Sequence, residues 1–246
     1  MIQIKSAEEI AVMREGGAIL SEIITEIKKE VLPGKSTEEL NRLGEGLFFK
    51  YGRPSFKGYE NFPAGVCLSL NEEIVHGVPS KRILKEGDIL SLDIGLFYKN
   101  FHTDMAITVP VGKVDSEAAR LLRVTQKALK EGIKRAKEGS FFGDIGEAIE
   151  KYVNSQNFTV LKNFCGHGIG RELHEDPQVL NFGRKNTGLE IKKGMVFCIE
   201  PIIGTGFWEA EMAETGFTYK TKDGSLAAHF EHTVAVTEKG VEILTA

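Results

Sequence analysis

Apolar residues at Ile10, Met13, Ala18, Ile24 and Ile27 follow the spacing of one buried helix face. Ser6-Ala7-Glu8-Glu9 ahead of them is a capping box and Pro33-Gly34 behind them a stop, so a helix is predicted between these signals. Ser36-Thr37-Glu38-Glu39 opens a second helix, expected to end near Tyr51-Gly52. Two more are expected, from Ser116 to about Lys137 and from Gly143 to about Ser155. Runs rich in strand formers lie at 66–70, 88–98, 101–109, 195–203 and 230–237. Elements mixed in this way predict an α+β fold.

One pattern occurs twice. Leu84-Lys85-Glu86-Gly87 leads into a run ending on Asp93, and Ile191-Lys192-Lys193-Gly194 leads into one ending on Glu200. The offset is 107, and Gly34 to Leu40 matches Gly139 to Ile145 more loosely at an offset of 105. The repeat predicts two related α+β halves, each delivering an acid from a strand to a shared cleft. No linker or low-complexity tract separates them, so residues 1–246 are expected to form a single domain with pseudo-twofold symmetry.

If Lys99-Asn100 is a hairpin turn, paired residue numbers sum to 199. Asp93 then faces Ala106, and Asp104 lies on the same face one diagonal step away, roughly 7–8 Å between backbones. Ser91, Gly95, Ala106 and Thr108 share that small, polar face, while Leu90, Leu92, Ile94, Met105, Ile107 and Val109 point the other way. On this pattern alone, two solvated acids would read the same. Glu200 ends the apolar run Met195-Val196-Phe197-Cys198-Ile199, and Glu231 sits among Phe230, Val234 and Val236. A buried, unpaired carboxylate is costly at either place.

Four acids brought into one site repel unless cations neutralise them. With His167 neutral, their four negative charges match two divalent ions, so a dimetal site is expected rather than a single ion. Oxygen-rich ligation with one imidazole suits Co, Mn, Fe or Zn. HExxH and Walker-type motifs are absent.

Composition narrows the setting. The 246 residues are 41% hydrophobic and 27% charged, and the net charge of −4 leaves no basic footprint for nucleic acid. Cys67, Cys165 and Cys198 are too scattered and odd in number for a disulfide framework, and suit a reducing compartment. Met1-Ile2-Gln3-Ile4-Lys5 carries no signal-peptide core, and no apolar run approaches the ~20 residues that span a bilayer. A cytoplasmic protein without a membrane partner is expected.

The most specific stretch is Cys165-Gly166-His167-Gly168-Ile169-Gly170-Arg171-Glu172-Leu173-His174-Glu175-Asp176-Pro177. Glycines flank His167 and let its backbone approach a metal, and His167 and His174, seven residues apart, are both expected on a Gly-rich loop, 165–177, curling over the site. Together with Asn71-Glu72-Glu73-Ile74-Val75-His76-Gly77-Val78-Pro79, Ser91-Leu92-Asp93-Ile94, His102-Thr103-Asp104, Ile199-Glu200-Pro201 and Phe230-Glu231-His232-Thr233, it makes the chain resemble the methionine aminopeptidases over nearly its whole length. The likeness is to the short type I form, with no zinc-finger extension expected ahead of it.

That resemblance implies the pita-bread fold, with a central antiparallel sheet and pseudo-twofold halves. It implies a metalloaminopeptidase that removes N-terminal methionine before a small second residue, through water activated by two divalent ions. Asp93 would chelate one metal, His167 and Glu200 would complete the other, and Asp104 and Glu231 would bridge. Glu200 would act as general base and then acid, His174 would donate to the scissile carbonyl, and His76 would contact the substrate backbone. The implied methionine pocket is Phe56, Tyr59, Phe62, Cys67, Leu173 and Phe217, where Phe62, Leu173 and Phe217 replace a more usual Tyr, Phe and Trp. Implied partners are peptides and nascent chains beginning with methionine, at the ribosome, and a monomer is expected.

His229 stands where the family commonly has Gln. It is expected to be a surface substitution, with a partner that tunes a ligand as the alternative. His102 and His232 are expected to be structural. Two rivals remain: a proline-specific aminopeptidase of the same fold, whose chains are longer, and a non-enzymatic pita-bread binding module, which should have lost ligands that are all present here.

Overall fold

Both capping boxes form in the computed structural model, which describes residues 2–246. The hydroxyls of Ser6 and Ser36 accept from the N–H groups of Glu9 and Glu39, whose carboxylates accept from the serine N–H groups in return. They start α1 (Ala7–Lys29) and α2 (Thr37–Phe48). β1 (Arg53–Pro54), β2 (Cys67–Leu70), β3 (Glu73–Val75), β4 (Ile89–Tyr98) and β5 (Phe101–Pro110) follow, and then α3 (Ser116–Ile133) and α4 (Phe142–Ser155). The remainder is β6 (Thr159–Val160), β7 (Cys165–Gly168), β8 (Glu175–Leu180), β9 (Val196–Ile199) and β10 (Ile202–Gly204). β11 (Ala210–Met212), β12 (Tyr219–Thr221), β13 (Ala227–His229), β14 (Glu231–Thr237) and β15 (Gly240–Ile243) complete it.

The main sheet runs β1-β4-β5-β14-β9-β7-β8, with antiparallel pairing throughout. Its centre is symmetric: each half contributes an antiparallel pair, β4-β5 and β9-β14, and the halves meet where β5 pairs with β14. The repeat read in the sequence is visible in single hydrogen bonds. The Gly34 N–H donates to the Leu84 carbonyl and the Leu84 N–H to that of Lys35; Gly139 and Ile191 do the same with Ile191 and Ser140, all at 2.7–2.9 Å. Matching bridges join Ser36 to Ile83 and Phe141 to Glu190. Helices cover only the outer face. Leu90, Leu92, Ile94 and Leu96 pack on Leu20, Ile23 and Ile27 of α1 and on Leu40 and Phe48 of α2. Phe197, Ile199, Val234 and Val236 pack on Leu121, Val124 and Ala128 of α3 and on Ile145 and Ile149 of α4. The inner face is left to the cleft, which is the expected pita-bread arrangement.

Several element ends differ from expectation. α2 stops at Phe48 and α3 at Ile133, because the chain beyond each tightens into three-residue turns, such as Tyr51 N–H to the Phe48 carbonyl and Ala136 N–H to the Ile133 carbonyl. α4 begins one residue early, at Phe142. The runs 195–203 and 230–237 do not stay in one sheet. Pro201 has no N–H to give, and after it β10 pairs with β13 and β6 in a separate three-stranded sheet. β13 and β14 part at Phe230 on the same level, so the main sheet splits next to both Glu200 and Glu231. Residues 165–168, expected as loop, are strand β7, paired with β8 and β9.

Candidate metal centre

The hairpin register is the one read from the turn: Asp93 pairs with Ala106 and Gly95 with Asp104, and Lys99 and Asn100 both take positive φ. Ala106 also pairs with Glu231 on its other side, and Cys67 pairs with Asp93. A single row across the sheet therefore reads Cys67, Asp93, Ala106, Glu231. Extending the β14–β9 register by one residue past His232–Ile199 brings Glu200 opposite Glu231. The small methyl of Ala106 leaves open the space between two carboxylates, and Asp104 reaches into it from one pleat along.

The backbone here is held by groups that pattern reading did not single out. Thr233 Oγ1 accepts from the Asp104 N–H at 2.9 Å and donates to its carbonyl at 2.7 Å, bridging the two halves at their junction. The Asn181 amide donates to the Glu200 carbonyl at 2.9 Å. Thr233 lay inside a quoted motif, but its partner is 129 residues away, and no local signal announces that contact.

Asp93, Asp104, Glu200 and Glu231 are at most 9% exposed. Oδ1 of Asp93, Oδ1 of Asp104 and Oε1 of Glu231 form no hydrogen bond among the described residues. Burial pushes Asp93 up to about 7 and Glu200 up to about 8, and drives Asp104 and Glu231 well above the usual carboxylate range, with the neighbouring acids adding to both. Burial holds His167 down at about 3, so its ring is neutral at pH 7. Its Nδ1 faces the Gly168 carbonyl at 2.9 Å, which puts the proton there and leaves Nε2 as a lone pair 3.7 Å from Glu200 Oε1. Orphaned carboxylate oxygens and a lone-pair nitrogen, collected without a compensating cation, are what a divalent metal site requires. Two buried triplets have donor atoms within 4.8 Å of one another: Asp93–Asp104–Glu231 and Glu200–His229–Glu231. They share Glu231, as a two-ion site would. His167, Cys198 and Glu231 form a third such group, and Cys198 was not anticipated as a neighbour of the site.

His229 corrects an expectation. It is not on the surface: it is 2% exposed, and Nε2 lies 3.5 Å from Glu200 Oε2 and 3.7 Å from Glu231 Oε2. Its burial comes from β10 and from Thr108 on β5, neither visible from its own strand. His102 and His232 are structural as expected, with Nδ1 atoms against Ser55 Oγ at 2.8 Å and Thr245 Oγ1 at 3.0 Å.

Above the acids opens a cavity of about 660 Å³. All six pocket residues line it, with Phe62 and Phe217 edge to face at 5.6 Å. Glu60, Phe164, Cys165 and Gln178 line it too and were not foreseen. His76 and His174 stand at its exposed mouth. The Tyr59 hydroxyl lies 2.9 Å from His174 Nδ1, and the two rings meet edge to face at 5.2 Å. His76 holds a left-handed backbone, φ 56°, and its carbonyl accepts from Thr218 Oγ1 at 3.1 Å. That conformation is costly for a residue with a Cβ, and it aims the ring at the cleft.

Comparison with known proteins gives consistent matches. The family model described as Metallopeptidase family M24 matches residues 11–238. Methionine aminopeptidase 1 of Bacillus subtilis is 44% identical over 246 residues, all of this chain and 99% of that one. Crystal structures of methionine aminopeptidases from Rickettsia prowazekii and Thermotoga maritima superpose with TM-scores of 0.98 and 0.97, at 37% and 43% identity. Both comparisons cover 100% of this chain, with 100% and 99% of the other.

Proposed function

The chain belongs to metallopeptidase family M24, among its methionine aminopeptidases, and from that premise we propose that it removes N-terminal methionine from peptides and nascent proteins, preferring a small second residue. The observation that carries the reading is the cluster of buried carboxylates, with orphaned oxygens on Asp93, Asp104 and Glu231, beneath an apolar-walled cavity. Asp93, Asp104, His167, Glu200 and Glu231 would hold two divalent ions, of Co, Mn, Fe or Zn. When bound, such ions polarise the scissile carbonyl, acidify a water to near neutral pH and bind the substrate's free α-amine.

The rest falls to side chains. Glu200, ionised once the site holds its ions, would take a proton from the attacking water and return it to the leaving amine. His174, its Nδ1 against the Tyr59 hydroxyl, would donate from Nε2 to the carbonyl oxygen as negative charge develops on it. His76, also at the cavity mouth, would steady the substrate backbone. Phe56, Tyr59, Phe62, Cys67, Leu173 and Phe217 receive the methionine side chain and exclude water from its thioether. The ligands come from both halves of the sheet, so residues 1–246 act as one catalytic domain.

We place the enzyme in the cytoplasm as a monomer that meets nascent chains at the ribosome. Three free cysteines, two of them buried, favour a reducing compartment, and no described helix is long and apolar enough to cross a membrane. The test is release of methionine from a Met-Ala-Ser peptide by the metal-loaded protein. Glu200→Ala should abolish release while leaving the circular dichroism spectrum unchanged; retained activity refutes the assignment. A Met-Leu peptide cleaved as fast as Met-Ala would refute the small-residue preference.

A further inference from the structure

His229 is at the cleft floor, yet the chemistry above leaves it without a task. Its Nε2 is buried and forms no hydrogen bond among the described residues. The distances of 3.5 Å to Glu200 Oε2 and 3.7 Å to Glu231 Oε2 are too long for good hydrogen bonds. They do suit a shared ion: donors about 2.1 Å from one metal stand roughly 3.4 Å apart at a tetrahedral angle. The backbone that carries the ring is also held in place. Thr108 Oγ1 accepts from the His229 N–H and donates to its carbonyl, each at 2.8 Å, and meets Ser91 Oγ at 2.8 Å in turn.

Resting on the dimetal reading above, we propose that His229 Nε2 is an additional protein ligand of the ion held between Glu200 and Glu231. Glu200 is then flanked by imidazole at both oxygens, His167 at Oε1 and His229 at Oε2. The Asp93–Asp104 side offers carboxylates alone. Imidazole strengthens the preference for the later divalent ions, whereas carboxylate suits Mn. The two positions therefore differ in selectivity, and the one at His229 prefers Co²⁺ over Mn²⁺ by the wider margin.

The experiment loads the full chain, labelled with ¹⁵N in its histidine rings, with Co²⁺ and counts the contact-shifted imidazoles by NMR. The proposal expects two Co²⁺ ions and two bound imidazoles in the parent, and one bound imidazole in His229→Gln. Calorimetry of that variant should show one Co²⁺ affinity reduced at least tenfold and its preference over Mn²⁺ narrowed. A parent that binds two Co²⁺ ions through a single imidazole overturns the assignment of His229 and leaves the dimetal reading standing. A parent that binds a single Co²⁺ ion through one imidazole or none overturns both, and a single ion bound through two imidazoles overturns the dimetal reading and leaves His229 a ligand. The decisive count is made on the parent, so it does not depend on the folding of the variant.

Discussion

Removing metal should reverse the way this fold responds to pH. In the metal-free protein, burial pushes Asp93 up to about 7 and Glu200 up to about 8 and raises Asp104 and Glu231 well above the usual carboxylate range, against about 4 for each in an unfolded chain. The folded state therefore holds protons that the unfolded chain has released. For acids raised in this sense, stability is full below the unfolded value and is lost as pH rises through the folded one. Each retained proton costs about 1.4 kcal/mol per pH unit. Asp93 and Glu200 together retain about one proton between pH 7 and 8, so this pair alone should lower stability by about 1.4 kcal/mol across that interval, with Asp104 and Glu231 acting in the same direction.

The window matters because other groups act outside it. His102 and His232 are held near 4 and His167 near 3 by burial, so their contribution is full above about 6.5 and is lost as pH falls. Burial raises the thiols of Cys67 and Cys198 well above 9, which lowers stability only at higher pH. Urea unfolding in EDTA, followed by circular dichroism at pH 7.0, 7.5 and 8.0, reads the carboxylates against the smaller, opposing contribution of the lowered histidines. Glu200→Gln should flatten the slope by about 1 kcal/mol per pH unit. Saturating Co²⁺ or Mn²⁺ should turn it upward, since ionised ligands bind metal more tightly. A metal-free protein as stable at pH 8 as at pH 7 would refute the reasoning.

Three further substitutions probe the scaffold. Ala106→Leu fills the gap between Asp93 and Glu231 without touching a ligand; metal retained after dialysis should drop below two ions, and full occupancy would count against the row described here. Gly166→Ala puts a Cβ 2.2 Å from the Cys198 carbonyl oxygen, so β7 must shift; a cost of about 1–3 kcal/mol and weaker metal binding through His167 are expected, and an unchanged urea midpoint would contradict this. Lys5→Met strands the Glu175 carboxylate in a pair whose side chains are about 5% exposed or less, and should cost about 3 kcal/mol. Lys5→Met with Glu175→Leu should recover most of that, and failure to recover would show that the charge was not the cause.

What could be read from the chain was whatever its local geometry determines. A two-residue turn sets the parity of every position in the β4–β5 hairpin, so the shared face of Asp93 and Asp104 followed from residue numbers alone. The repeat likewise announced Glu200 as the counterpart of Asp93. Long-range partners were less legible. The burial of His229, the clamp of Thr233 on Asp104 and the parting of the sheet at Pro201 and Phe230 all depend on segments far away in sequence. Helix ends were missed where tight turns continue the hydrogen bonding without the helix. The loop expected at His167 is a strand because Gly166 and Gly168 allow backbone contact with Cys198 and Asp176 that no larger residue would permit.

The row through Ala106 also bears on how the protein acquires its metals. The cradle is laid across a continuous ladder of backbone hydrogen bonds, and its outer side is packed by four helices. In a zinc finger, binding is folding, and an ion once gained is kept by the whole structure. Here the fold stands on its own packing, so ions can leave and be replaced without passing through an unfolded state. Occupancy should then track whichever divalent ions are free in the surroundings, and a protein made during metal scarcity should become active on resupply with no new synthesis.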